Sequence, residues 1–148
     1  KAIPDISLTT DIIVGFPGET EEDFKETLDL VTKAGFEGAY TFIFSPREGT
    51  PASKYEDNIT SEVKKERLLI LNKLINDGFA AGNKRFEGKI VDVLVEGTSD
   101  KKEDIMTGYT IHNKLVNFPG DLELVGKIVK VKIEKAYTWH LKGKLIES

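Results

Sequence analysis

The chain has 148 residues, 39% of them hydrophobic and 31% charged, with a formal net charge of -4 and no cysteine. This composition describes one ordinary folded domain or two small ones, and it excludes disulfides, thiolate metal sites and iron-sulfur ligation by the chain's own residues. No run of eighteen apolar residues occurs, nor a basic stretch followed by an apolar core, so neither a membrane span nor a signal peptide is expected and a cytoplasmic location is the default.

The chain opens at Lys1 without a methionine and runs directly into an apolar strand, which reads as a piece of a longer protein. Ile6 to Gly15 carries the apolar run Ile12, Ile13 and Val14, and the pattern predicts a strand covered on both faces. The turn Gly15-Phe16-Pro17-Gly18 follows it. Thr20 is a suitable N-cap with Asp23 three residues on, and Glu21, Glu22 and Asp23 complement the positive end of a helix. Phe24, Leu28, Val31 and Ala34 share one helix face, and Gly35 is a suitable stop. Ala39 to Ser45 alternates aromatic and aliphatic residues and predicts a second strand, which completes a right-handed parallel strand-helix-strand unit. Two strands cannot close a sheet, so the unit needs neighbours.

Pro46 to Ser53 is expected as a loop. Thr60 or Ser61 then caps a long connecting helix with Val63, Leu68, Leu71, Leu74 and Ile75 on its apolar side, stopping near Gly78 or Gly82. From Phe86 the apolar period changes to two. Residues 90–96, 106–111, 114–118, 128–134 and 139–145 predict five short strands, which points to a small barrel of the oligonucleotide-binding kind. The predicted fold class is α/β followed by all-β, with domains at 1–82 and 83–148. Residues 1–81 carry 9 basic against 15 acidic side chains, and residues 82–148 carry 12 against 10, so the second half is the better partner for a polyanion.

Open α/β folds bind ligands at the C-terminal ends of their strands. Asp11 lies in an otherwise apolar run, where a carboxylate needs donors; a ribose diol and neighbouring backbone amides both meet that need. Gly15 and Gly18 permit close backbone approach, and Pro17 stiffens the turn. His112 and His140 are too isolated to suggest a metal site, and no nucleophile-histidine-acid constellation or phosphate-cradling loop is present. In the second half Lys84, Arg85, Lys89, Lys114, Lys130 and Lys132 are candidate phosphate contacts. Tyr109, Phe118 and Trp139 are either stacking platforms for unpaired bases or barrel core. Alternation puts Lys130 and Lys132 on one strand face, opposite Val129, Val131 and Ile133, which makes that face solvated and basic.

The segments Thr-Thr-Asp-Ile-Ile-Val-Gly-Phe-Pro-Gly-Glu-Thr-Glu-Glu-Asp-Phe at 9–24 and Tyr-Thr-Phe-Ile-Phe-Ser-Pro-Arg-Glu-Gly-Thr-Pro-Ala at 40–52 resemble the radical S-adenosylmethionine methylthiotransferases. Residues 83–148 resemble the TRAM domain, a small RNA-binding β-barrel of those enzymes. Residues 39–47 and 138–143 resemble the branch that acts on isopentenyladenosine beside the tRNA anticodon. The branches acting on a ribosomal-protein aspartate and on threonylcarbamoyl-adenosine share the Gly-Phe-Pro-Gly-Glu-Thr segment.

The resemblance implies the last βα units of a partial TIM-like radical barrel followed by an OB-like five-stranded barrel. It implies S-adenosylmethionine and two 4Fe-4S clusters in the full-length enzyme, with tRNA as substrate and the anticodon stem-loop as partner. Carried over by position, Asp11 meets the ribose of S-adenosylmethionine, Ile13 packs on its adenine, Gly15 lies beside it, and Phe44 and Ser45 reach the adenine through their backbone. Arg47 faces substrate phosphate or a carboxylate, or is a surface residue. The cluster-binding cysteines of the family are absent from this chain, so no catalytic or metal-binding residue is expected in it. An isolated piece is then expected to be inactive, to rely on the missing N-terminal part of the same protein, and to self-associate through bare strand edges. The alternative is a stand-alone RNA-binding module with the first half as scaffold.

Overall fold

The computed structural model describes residues 2–99 and 102–146. The chain divides into two compact units, one spanning Leu8–Gly78 and the other comprising Lys1–Ser7 with Phe79–Ser148.

In the first unit, strand β1 (Thr9–Val14) leads to helix α1 (Glu21–Ala34) and strand β2 (Gly38–Ile43), and a 3-10 turn at Pro51–Lys54 precedes helix α2 (Ser61–Lys84), whose residues from Phe79 on belong to the second unit. β1 and β2 pair in parallel from Thr9 opposite Gly38 to Val14 opposite Ile43. Thr20 caps α1 as its sequence predicts: its hydroxyl accepts from the Asp23 N–H, and the Asp23 carboxylate accepts from the Thr20 N–H. Gly35 ends the helix in the left-handed conformation at φ 64°, its N–H donating to the Val31 carbonyl. Phe24 and Val31 of α1, Leu71 and Ile75 of α2 and Val14 of β1 are buried.

One expectation is corrected here and another narrowed. β1 is not covered on both faces: Ile13 is 54% exposed, and its neighbours Tyr40 and Phe42 on β2 are exposed with it. A two-stranded sheet has helices on one side only. Of the two stops expected for helix α2, Gly78 is passed, and the helix ends at Lys84, two residues after Gly82. At Gly78 the Phe36 carbonyl oxygen lies only 2.8 Å from where a Cβ would stand, so that glycine serves close packing and not termination.

The second unit is a closed barrel of β3 (Ile90–Ser99), β4 (Lys102–Tyr109), β5 (Leu115–Pro119), β6 (Ile128–Ala136) and β7 (Leu141–Leu145), in the spatial order β3-β4-β5-β7-β6. All neighbours are antiparallel except β5 and β7. This is the five-stranded barrel that the period-two sequence predicts. Inward residues Val93, Val95, Met106, Val116, Phe118, Val131, Ile133 and Leu141 fill its interior together with Phe86. The strand expected at 106–111 ends at Tyr109 because Thr110 makes a turn. Its hydroxyl accepts from the N–H groups of His112 and Lys114, and Asn113 adopts φ 57°, a left-handed conformation that asparagine tolerates.

Candidate nucleic-acid interface

The outer surface of the barrel is organised by strand register. On β6 and β7, Lys132 stands directly opposite Lys144, and Lys135 opposite Lys142. All four side chains are exposed. Like charges placed directly across a strand pair repel, and among the described residues Lys132, Lys142 and Lys144 form no ion pair. Lys130 continues the row but is paired at 2.9 Å with Asp92 of β3. The basic face expected around Lys130 and Lys132 is present, and Lys135, Lys142 and Lys144 extend it. Strand pairing created this extension, which no single segment's sequence displays.

The lysine row runs into a groove. Lys142 neighbours Asn117 of β5 in the parallel β5-β7 register. Thr107 of β4 stands opposite Asn117, and Tyr109 opposite Leu115, all four on the outer face. Together with Glu96, Thr98 and Ser99 from the end of β3, and with His140, they line an open groove of about 560 Å³. The β3-β4 pairing shifts register between Val95 and Gly97, so Glu96 is the extra residue of a β-bulge. Bulges re-aim side chains and recur beside binding sites. The face of the second and third barrel strands, with the loops after the first and fourth, is where small barrels of this class take oligonucleotides, and the groove lies there.

The loop between β6 and β7 is held from beneath. Asn83, buried at the end of α2, donates from Nδ2 to the carbonyls of Tyr137 and Thr138 at 2.8 and 3.0 Å. Trp139 packs at 4.9 Å on Phe79 while remaining 60% exposed, and His140 stacks on Tyr137. Glu87 accepts from the Ala136 N–H at the end of β6, and this bond, with the Lys84 ion pair, holds its carboxyl below the usual range.

The candidates named from sequence divide clearly. Tyr109 lines the groove, and Trp139 precedes the groove-lining His140 in the chain; both rings are accessible. Phe118 is corrected: it is wholly buried in the barrel core and has no face to offer a base. Lys114 is corrected as well, since it is 6% exposed with its ammonium 5.9 Å from the Phe79 ring. Arg85 lies over the Phe86 ring and donates to the Ser7 hydroxyl at 3.1 Å. Lys84 and Lys89 are exposed near the end of α2, Lys84 in its pair with Glu87. Glu96, Thr107, Leu115, Asn117 and His140 were not foreseen. Alternation within β4 and β5 could have placed Thr107 and Asn117 outside, but nothing in the sequence marks the bulge.

In the first unit, Asp11 and Ile13 share the open face of the sheet with Tyr40 and Phe42. Asp11 is exposed, so the burial expected of its carboxylate is corrected. Phe44 donates its N–H to the Val14 carbonyl at 2.9 Å and sets its ring edgewise on Phe16 at 5.0 Å. Ser45 and Arg47 are exposed in the loop that follows. Gly15 is needed for a reason other than ligand approach. It has φ 70°, its N–H donates to Glu19 Oε1 at 3.0 Å, and a Cβ there would come within 2.5 Å of the Lys64 side chain.

Glu19 and Lys64 belong to an ionic cluster that ties the Gly-Phe-Pro-Gly-Glu turn to α2. Arg67, 5% exposed, donates from Nη1 to Glu19 Oε1 at 2.7 Å and from Nη2 to Glu21 Oε1 at 2.8 Å. Burial opposes its charge, but the hydrogen bonds to Glu21 and Glu19 outweigh burial and raise its pKa further. Lys64 is ion-paired with Asp57, whose carboxyl the lysine lowers. Among the described residues no group of three or more histidine, aspartate or glutamate side chains is arranged to hold a metal ion, and no helix is long and apolar enough to cross a membrane.

Residues 84–146 match the family model of the TRAM domain. The chain is 57% identical over 147 residues to a tRNA-2-methylthio-N(6)-dimethylallyladenosine synthase of Bacillus cytotoxicus and 58% identical over 146 residues to that of Bacillus subtilis. It is 56% identical over 147 residues to the enzyme of the same name from Oceanobacillus iheyensis. Each alignment covers 99% of this chain but only 28–29% of the relative. The chain thus spans under a third of the length of the curated relatives it matches.

Proposed function

We propose that this chain, similar over nearly all of its length to tRNA-2-methylthio-N(6)-dimethylallyladenosine synthases, is the tRNA-holding end of such a methylthiotransferase. Its barrel grips the anticodon stem-loop, and its α/β unit supplies one wall of an S-adenosylmethionine site. The observation that carries the reading is the pair of lysine-lysine juxtapositions across β6 and β7, continuous with the groove at Asn117. Opposed cations cost stability in the free protein, and a phosphate backbone relieves that cost.

For the nucleoside cofactor, Asp11 and Ile13 offer a carboxylate and an apolar side chain on one exposed sheet face, as a ribose and an adenine require. Phe44 and Ser45 continue β2 beyond that face, and Arg47 follows in the loop. The chain's residues do not fit an iron-sulfur cluster, because it has no cysteine. Cluster ligation, and with it turnover, therefore belongs to residues outside this chain, and the chain alone is inactive in the cytoplasm or in vitro. Anaerobic reconstitution followed by iron analysis and an assay for the methylthio mark tests this; stoichiometric iron with modified tRNA would overturn it.

Binding to an anticodon stem-loop, followed by fluorescence anisotropy across a salt series, tests the barrel. Affinity should fall steeply with salt, and Lys132→Gln and Lys144→Gln should each lower the log-log slope by about one. Affinity indifferent to salt refutes the assignment.

A further inference from the structure

We infer that the groove on the outer face of the barrel receives one unpaired RNA base and prefers guanine, whose Watson–Crick edge is read by Glu96. The inference rests on the RNA-binding reading above and adds to it a base-specific subsite.

Among the described residues that line the groove there is no lysine or arginine, so these residues suit a base better than a phosphate, although lysines lie next to them. What it offers is a surface for the face of a base and polar groups for its edge. Tyr109 opposite Leu115 forms the platform, one ring and one aliphatic chain side by side on the outer face. Base stacking on such an aromatic tolerates any sequence. One step along the same face, Thr107 opposite Asn117 presents a hydroxyl and an amide, and Glu96 adds a carboxylate from the bulge in β3. The volume of about 560 Å³ lies within the usual range for small-molecule sites, roughly 300–1,000 Å³.

The carboxylate decides which base. It has only acceptors to offer, two oxygens in one plane. Guanine alone places two donors side by side, N1–H and the N2 amino group, and so matches a carboxylate bidentately. Cytosine and adenine present one amino group beside a ring nitrogen that repels the second oxygen. Uracil presents one N–H between two carbonyls, which repel both. With a base seated, the sugar-phosphate chain leaves past Asn117 toward Lys142, its neighbour in the strand register, and Lys135 opposite Lys142.

The pentamers UUGUU, UUCUU, UUAUU and UUUUU, each fluorescently labelled and titrated with the full chain at low salt, test the assignment. UUGUU should bind about tenfold more tightly than UUUUU, as one well-made bidentate contact confers. Inosine in place of guanine removes the N2 donor and should erase most of the preference, a readout that needs no protein variant. Glu96→Gln should level the four pentamers while leaving UUUUU binding within about twofold, and Tyr109→Ala should weaken all four. Equal affinities in the unmodified chain, no binding of any pentamer, or a guanine preference that survives inosine or Glu96→Gln would overturn the subsite. Salt-sensitive stem-loop binding without base preference would overturn it alone; loss of stem-loop binding would remove the RNA reading too.

Discussion

Arg67 holds the turn after β1 to helix α2 through two carboxylates of very different exposure. The Glu19 side chain is 11% exposed and that of Glu21 is 61% exposed. Removing one member of a buried pair strands the other charge, whereas an exposed pair contributes little. Arg67→Ala should therefore cost about 3 kcal/mol in urea unfolding, and Glu21→Gln under about 1 kcal/mol. Equal effects would show that burial does not govern the cluster. The apolar side of α2 was readable from Leu71 and Ile75, but Lys64 and Arg67 continue the same buried face while looking like solvent-facing charges. Their partners lie up to 48 residues away, so no local pattern identifies them. Phe118 shows the opposite limit. Alternation told that it shares a face with Val116, and an aromatic on a small-barrel strand is more often core than stacking platform, but the sequence does not say which of the three aromatics is the core one.

Among the elements, the strands and helices were legible because their periods and caps are local, and their junctions were not. Thr20 with Asp23 and the left-handed Gly35 announce both ends of α1. The bulge at Glu96 and the cross-strand lysines exist only after β3 has met β4 and β6 has met β7. Glu87 joins the segment after α2 to the end of β6, and its carboxyl is held below the ordinary glutamate value by the Ala136 N–H first and by Lys84 second. A carboxyl whose folded pKa is depressed stabilises the fold fully above its unfolded value. That stabilisation is lost as pH falls through the folded value. The stability difference between the native chain and Glu87→Gln should thus be largest near pH 7 and shrink as pH falls below about 4.3, the ordinary glutamate value. Paired urea titrations across pH 7 to 3 measure it, and a difference that stays constant would show that Glu87 does not contribute through its charge.

For the molecule as a whole, the barrel and the α/β unit solve the problem of unpaired backbone differently. Closure leaves β3 to β7 without a free edge. The parallel pair β1-β2 keeps its two outer edges and one uncovered face, on which Tyr40 is 75% exposed beside Phe42 at 51% and Ile13 at 54%. Large apolar side chains set side by side on an exposed sheet face mark an interaction surface. In the chain by itself that surface should be satisfied by a second copy, so light scattering should report association that rises with concentration. Phe42→Lys should reduce it, because a charge at the centre of the patch must be desolvated on contact. Lys132→Gln, in the closed barrel, should leave it unchanged. Strictly monomeric behaviour at high concentration would overturn the expectation and imply that edges and face are too short-lived or too small to pair. Association lowered equally by both substitutions would move the contact away from the open sheet. If Phe42→Lys dissociates the chain while its salt-dependent binding to an anticodon stem-loop is retained, the apolar surface and the RNA surface are separable properties of two units in one chain.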